Sequence, residues 1–329
     1  MNRLSNWLTI TQWAPRYDRQ KFGADAAAAA VVTLMLIPQS LAYAQLAGMP
    51  MEAGLYASML PLVAYALFGS SSTLAVGPAA VTSLMTASAL AGLPASNGAY
   101  TVMAALLAAM SGLMLLAMGV LRLGFLANFL SHPVISGFVT ASCATIALGQ
   151  PGPMLGIAAG RGDPPAMIAA LAAQAPDANL PTLLIGFFAA GFLFWARRGA
   201  RPTLERIGLA PALAAPLSRT APVIAVVLGT LAATVFGLPA LGVAVVGEGP
   251  RGLPPFTLPD LSWPLVQALA GPAALISLIG FVESVSVAET LAARRRERIE
   301  PDQELIGLGA ANLGAAFTGQ HRIEILPGD

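Results

Sequence analysis

The chain has 329 residues, of which 56% are apolar and only 10% are charged, and its mean hydropathy is +0.72. A soluble domain averages about 25% charged residues, so this composition excludes an ordinary soluble protein and indicates an integral membrane protein. The net charge of +1 gives no reason to expect a nucleic-acid partner.

Apolar tracts follow one another along the chain and predict an all-α membrane protein. They cover residues 24–46, 54–68, 78–90, 100–121, 134–148, 181–196, 221–236, 272–293 and 305–317. If each tract crosses the membrane once from a cytoplasmic N-terminus, all but three of the seventeen Lys and Arg residues fall on the cytoplasmic side. This bias follows the positive-inside rule and predicts a multi-pass protein of the inner (plasma) membrane.

The segments between the tracts are predicted from composition. Residues 1–23 lack the apolar core of a signal peptide and form a cytoplasmic N-terminal segment, in which Trp7 and Trp13 indicate a short helix at the membrane interface. The Pro- and Gly-rich stretches 151–177 and 247–260 are predicted to be ordered surface connections on the outer side.

The third tract is too short to cross a membrane. Its 13 residues make a helix of about 20 Å, whereas the hydrocarbon core is about 30 Å thick. The preceding residues 72–76 alternate and are partly β-branched, which predicts a short strand that leads into a half-helix. Such interrupted elements are tolerated in a membrane only where protein buries them or where they line a cavity.

The start of this half-helix is a candidate anion site. Pro78 suits the first helical position, and the backbone N–H groups of Ala79, Ala80 and Val81 would then be unpaired at the positive end of the helix dipole. Small and polar residues continue on the same face at Thr82, Ser83 and Thr86. The alternative is an ordinary loop at Gly77-Pro78, followed by a polar stripe that packs helices together.

The first tract is interrupted at Pro38, which frees the carbonyl group of Leu34. Gln39 and Tyr43 lie four residues apart on one helical face, and both are predicted to bind the substrate because such polar groups are unfavourable against lipid. The alternative is a kinked helix whose polar groups bond to a neighbouring helix.

Glu283 lies near the middle of the eighth tract, where a charge is unfavourable by about 2.5–3.5 kcal/mol. This position makes it a candidate for binding and releasing a proton during a transport cycle. Ser286 follows on a small and polar stripe with Gly280 and Thr290 and is a candidate substrate-binding residue. The alternative is a carboxyl group that is permanently bonded to a neighbouring helix.

The sequence contains no P-loop, zinc motif or nucleophile–base pair. No enzymatic activity, catalytic residue, metal site or cofactor is therefore predicted.

Several of these residues belong to longer runs that resemble the SulP sulfate permease family. The runs are IPQSLAYA at 37–44, GLYAS at 54–58, FGSS at 68–71, AVGP at 75–78, SHPVISGF at 131–138 and GFVES at 280–284. Their order and spacing match the family over nearly the whole chain to about Gly319.

The resemblance implies a fold of two inverted seven-helix repeats, shared with uracil permeases, in which a core domain moves against a gate domain. It implies a small inorganic or organic anion as the substrate, and it suggests a homodimer. Gln39 and Tyr43 match the family's first-helix positions, and Glu283 matches a carboxylate linked to proton coupling. Pro78, Ala79 and Ala80 match the third-helix terminus, although Ala79 replaces an aromatic residue found in many members.

The C-terminal residues depart from the family pattern. The transporter domain is expected over 24–319, followed by an atypical polar tail at 320–329, with the cytoplasmic STAS domain absent. The resemblance therefore implies an incomplete fold that is truncated after about the ninth helix.

The leading hypothesis is a secondary active anion transporter of the sulfate, bicarbonate or dicarboxylate class, coupled to protons or sodium. The alternative is a truncated, non-transporting membrane fragment that lacks half of the anion site.

Overall fold

The computed structural model describes residues 7–93, 97–129, 132–157, 164–245, 262–296 and 298–318, and all regular elements within these ranges are helical. The α-helices are α1 Ile10–Trp13, α2 Arg19–Ala47, α3 Met51–Tyr56, α4 Leu60–Phe68, α5 Ala80–Leu90, α6 Asn97–Val120, α7 His132–Gly149, α8 Pro151–Leu155, α9 Pro164–Gln174, α10 Leu180–Trp195, α11 Arg201–Arg206, α12 Pro211–Arg219, α13 Ala221–Val235, α14 Trp263–Arg295 and α15 Pro301–Thr318. Each of the predicted apolar tracts corresponds to helix.

Five helical stretches are long and apolar enough to cross a membrane, judged by length and composition. They are Arg19–Ala47, Met51–Phe68, Ala99–Val120, Leu180–Arg206 and Trp263–Ala293. The predicted half-helix is also present, because α5 has only 11 residues and is about 16 Å long.

Two predictions about irregular backbone are wrong. Residues 72–76 form no strand, because no segment in the described ranges pairs with them and a strand needs a partner for its N–H and C=O groups. The first tract is not broken at Pro38 either, since α2 runs without interruption from Arg19 to Ala47. A proline inside a helix removes one backbone hydrogen bond, and here the helix continues beyond it.

The connection 151–177 is more regular than predicted. It contains α8 and α9, followed by a 3₁₀ turn at Ala175–Asp177. Near the N-terminus, α1 and a 3₁₀ turn at Ala14–Arg16 provide the short helical segment expected around Trp13. The second predicted connection, 247–260, and the tail 320–329 lie outside the described residues.

The chain divides into two compact units. The first contains residues 1–18, 40–139 and 250–329, and the second contains residues 19–39 and 140–249. Both α2 and α7 therefore contribute residues to each unit.

The first unit is built around the close packing of α6 and α15. A Cβ atom added at Gly309 of α15 would lie 2.9 Å from the carbonyl oxygen of Gly112 on α6. This approach lets small residues bring two helix backbones together, as is common between membrane helices. Phe281 and Leu305 are fully buried in an apolar cluster that also includes Leu115 and Leu308.

The second unit has an internal polar anchor at the start of α10. The side chain of Asn179 accepts a hydrogen bond from the backbone N–H of Thr182 at 2.9 Å and donates one to the carbonyl of Leu241 at 2.8 Å. The first of these bonds is an N-cap, which satisfies a backbone donor that the helix leaves unpaired.

Candidate functional site

The backbone that enters α5 is extended. Ala79 precedes the helix with φ −122° and ψ 150° and provides no side-chain cap, and the first backbone bond runs from the Ser83 N–H to the Ala79 carbonyl at 3.0 Å. The helix thus begins two residues later than predicted, at Ala80. Proline disfavours helical conformation in the residue before it, which keeps Gly77 in the extended approach.

This helix start leaves three backbone donors without partners. The N–H groups of Ala80, Val81 and Thr82 make no hydrogen bond with any described residue. Such unpaired amides form the positive end of the helix dipole and can bind an anion.

A cavity of about 410 Å³ within the first unit reaches this helix start, where Pro78, Ala79 and Thr82 line it. Most of its wall comes from the segment 74–79 and from α5, α6, α14 and α15, with smaller contributions from the end of α2 and the start of α4. The polar residues among those that line it are Thr82, Ser83, Thr86, Ser111, Glu283, Ser284 and Asn312.

Most of these polar side chains already use their donors inside the protein. The Thr82 and Thr86 hydroxyl groups donate to backbone carbonyls of their own helix, at 3.1 and 2.9 Å. Asn312 donates to the Leu308 carbonyl at 3.0 Å, and the Ser111 hydroxyl lies 2.9 Å from that of Ser277. These four residues shape and polarise the cavity wall, with those donors already engaged.

Ser83 is different. Its side chain is 8% exposed and lines the cavity, and its hydroxyl makes no hydrogen bond within the described part of the chain. A buried hydroxyl without a partner is unfavourable unless a ligand or water completes it. Ser83 thus places an unsatisfied donor in the cavity wall, one turn beyond the unpaired amides of the helix start.

Glu283 is the ionisable residue among the described residues that line the cavity. It lies in the middle of α14 and is half-buried. It forms no hydrogen bond or ion pair with any residue that the structure describes. The alternative of a permanently bonded carboxyl group therefore finds no partner in those ranges.

The structure brings together some of the predicted site residues. Pro78, Ala79 and Glu283 line the cavity, and Ala80 is the first residue of α5 behind it. Tyr43 is half-buried and lies in the portion of α2 that belongs to the first unit. Gln39 is exposed and belongs to the second unit.

Ser286 lies elsewhere on α14. It is exposed and absent from the described lining, whereas Gly280, Ser284 and Val287 line the cavity beside Glu283. At about 100° per residue, the cavity face is centred between positions 283 and 284, and position 286 is turned away from it.

Sequence reasoning missed Ser284, Asn312 and the special status of Ser83. Ser284 follows Glu283 directly, and a helical wheel drawn around Gly280 and Glu283 includes it as readily as Ser286. No local pattern marks Asn312, because only the packing of α15 brings it to the cavity.

A profile of the sulfate permease family matches residues 22–323, which is most of the chain. The chain belongs to the sulfate permease family. The resemblance predicted from the sequence is thereby confirmed.

The chain is similar to named sulfate transporters. It is 37% identical over 315 residues to Sulfate transporter 4.1, chloroplastic, of Arabidopsis thaliana, a match that covers 95% of this chain and 44% of the relative. It is 35% identical over 318 residues to a probable sulfate transporter of Mycobacterium tuberculosis, with coverage of 94% and 54%. The chain thus spans about half the length of the curated relatives it matches.

Solved structures show the same fold. The chain superimposes on SLC26A9 with a TM-score of 0.84 at 22% identity, covering 97% of this chain and 51% of that one. It also matches the transmembrane domain of the cyanobacterial bicarbonate transporter BicA, with a TM-score of 0.69 at 25% identity and coverage of 88% and 71%. The predicted all-helical transporter fold is confirmed, and the family and the apolar helices together indicate a multi-pass membrane protein.

Proposed function

We propose that this chain carries an anion-binding site of a secondary active transporter for sulfate, bicarbonate or small dicarboxylates. The proposal depends on one observation, which is that a cavity lined by Ser83 and Glu283 reaches the start of a helix whose first three amides are unpaired in the described ranges. Fixed donors and a helix dipole favour a negative charge there. The names of the relatives, which are sulfate and bicarbonate transporters, support the choice of anions.

Glu283 provides a physical route to proton coupling. An ionised carboxylate in the same cavity repels an anion, and this repulsion is strong where water is scarce. Binding of a proton to Glu283 removes that charge and strengthens anion binding. By linkage, the anion strengthens proton binding by the same factor, so the two solutes travel together. Alternating access would then carry both across the membrane.

Binding and flux of a labelled anion test the proposal. The purified chain is reconstituted in liposomes, and radiolabelled sulfate is measured in equilibrium binding and in uptake, with bicarbonate, chloride and succinate as competitors. Saturable binding with uptake supports the transporter. If no anion binds, the site is wrong.

One outcome of this experiment distinguishes the transporter from a second candidate function, a non-transporting fragment. The chain spans about half the length of its curated relatives, and a fragment of a transporter can fold without moving solute across a membrane. Saturable sulfate binding without uptake would favour this non-transporting fragment while leaving the anion site in place.

A further inference from the structure

Glu304 is a buried acidic residue outside the cavity. It lies in the first turn of α15, and none of its surface is exposed. No cation pairs with it in the described ranges. A buried carboxylate without a counter-charge is unfavourable unless several hydrogen-bond donors satisfy it. The donors around Glu304 therefore indicate its structural role.

Four hydrogen bonds converge on this carboxylate. Its Oε2 accepts one from the Tyr65 hydroxyl at 2.7 Å. Its Oε1 accepts three, from the Ser70 N–H at 3.0 Å, the Ser70 hydroxyl at 2.5 Å and the Ser71 N–H at 2.9 Å. Three of the four donors therefore come from two consecutive residues in the connection between α4 and α5.

These residues begin the segment that enters the cavity. The Ser71 hydroxyl accepts a hydrogen bond from the Leu74 N–H at 3.1 Å, and Leu74 and Val76 pack against the buried apolar cluster. Residues 74–79 then line the cavity and lead into the unpaired amides of α5. Because this segment has no strand partner among the described residues, side-chain contacts must fix it.

Two glycines bring α15 close enough for this contact. A Cβ atom added at Gly307 would lie 2.6 Å from the Cα atom of Gly69, and one added at Gly69 would lie 2.5 Å from the Tyr65 ring. The backbone before Ser70 therefore lies directly against α15, one turn beyond Glu304. This approach places the carboxylate within reach of consecutive backbone amides.

We infer that Glu304 is a positioning residue for anion binding. It fixes the start of segment 70–79, and through this segment it holds the α5 amides in the orientation that the anion needs. The inference depends on the function proposed above, since it assigns Glu304 a role in that same site. The Glu304 carboxylate does not itself touch the anion and acts only through the orientation of the α5 amides. Loss of this anchor should therefore weaken anion affinity more than it slows the transport step.

A spin label tests the position of the segment without any transport. Ala75 is exposed and lines the cavity, so Ala75→Cys in a Cys143→Ser background gives a single labelling site. The spectrum of a nitroxide at this site reports local motion. We compare the parent with Glu304→Ala and with the milder Glu304→Gln and Ser70→Ala, which are included in case Glu304→Ala does not fold.

Asp302→Asn is the matched control. Asp302 lies in the same turn of α15 and loses the same charge, but it accepts a hydrogen bond from the Gly124 N–H at 2.7 Å, away from the segment. The expected result is a mobile component in the Glu304 and Ser70 variants and none in Asp302→Asn. No change in the Glu304 variants, or an equal change in all variants, would overturn the inference.

Sulfate binding supplies the second readout, in the same chains without the label. The Glu304 variants are expected to raise the sulfate Kd, or the KM for uptake, by about tenfold, with the maximal rate changed much less. A fall in maximal rate at constant Kd or KM would contradict a positioning role. If the parent binds none of sulfate, bicarbonate and succinate, the function proposed above fails, whereas the spin-label result still decides whether Glu304 holds the segment.

Discussion

In the proposed function, two side chains in the cavity act on the anion in opposite ways. Ser83 offers a hydroxyl donor, whereas Glu283 repels the anion whenever it is ionised. On this proposal, the proton bound by Glu283 sets the strength of anion binding.

The first prediction concerns Glu283→Gln. Glutamine is neutral at every pH, so sulfate should bind this variant with the affinity of the protonated parent across the whole range in which the chain stays folded. The parent should bind more weakly as the pH rises and Glu283 loses its proton. Equilibrium binding of labelled sulfate as a function of pH measures both.

Glu289→Gln is the control for this prediction. Glu289 is exposed on the same helix and is not part of the described cavity lining. It should retain the pH dependence of the parent. An unchanged pH dependence in Glu283→Gln would remove the coupling role from Glu283.

At the residue scale, the sequence predicted the groups that local patterns mark. Pro78, Ala79 and Glu283 stand out because a proline and a carboxylate are unusual within apolar tracts. The roles of Ser83, Asn312 and Glu304 depend on which helices meet, and no local pattern shows that a serine hydroxyl lacks a partner or that a carboxylate faces two backbone amides.

At the scale of elements, α5 is held in place by the packing of longer helices around it. The spacing between the α6 and α15 walls of the cavity is set by glycines, which bring the backbones of those two helices into contact. The shape of the cavity therefore depends on residues that never touch an anion.

The second prediction concerns Gly309→Ala in α15. Its Cβ atom would lie 2.8 Å from the Leu116 Cγ and 2.9 Å from the Gly112 carbonyl oxygen, and the backbone atom cannot easily move away. Overpacking of this kind destabilises a protein by roughly 1–3 kcal/mol. The thermal unfolding midpoint, followed by tryptophan fluorescence in detergent, should fall.

Gly229→Ala tests whether any added methyl group has this effect. Gly229 lies within α13, and nothing lies within 4 Å of a Cβ atom built there. Since alanine favours helix over glycine by about 1 kcal/mol, this variant should be as stable as the parent or slightly more so. Equal midpoints for the two variants would refute the close packing of α6 and α15.

The elements themselves were predictable from apolar periodicity, and each of the nine tracts corresponds to helix. The wrong predictions concern segments whose backbone conformation depends on tertiary contacts. Alternating residues at 72–76 resemble a strand, but pairing needs a second segment. Pro38 was expected to interrupt the first tract, but the helix continues through it, because one missing hydrogen bond does not outweigh those on either side.

At the scale of the whole molecule, family membership and the apolar helices place the chain in a membrane, and the charge bias predicts its orientation. The third prediction tests this orientation with Asp18→Cys and Asp177→Cys, each in a Cys143→Ser background. Both aspartates are exposed and lie outside the long helices. An impermeant maleimide should label position 18 only from the cytoplasmic side and position 177 only from the outer side.

The labelling reverses if the orientation is wrong. Labelling of both positions from one side would mean that an odd number of the tracts between them does not cross the membrane. Labelling of both from each side would indicate leaky vesicles, which a permeability control with a trapped dye detects.

The central claim is that unpaired amides at the start of α5 bind the anion, and removal of one such amide tests it most directly. Lactic acid in place of Ala80 replaces the backbone N–H with an oxygen, and the same change at Ala87 affects the interior of the same helix. A hydrogen bond to a charged group contributes about 1.5–3 kcal/mol, so the change at Ala80 should weaken sulfate binding roughly tenfold or more. The change at Ala87 should leave the Kd as it is, and equal sulfate affinity in both variants would contradict the account.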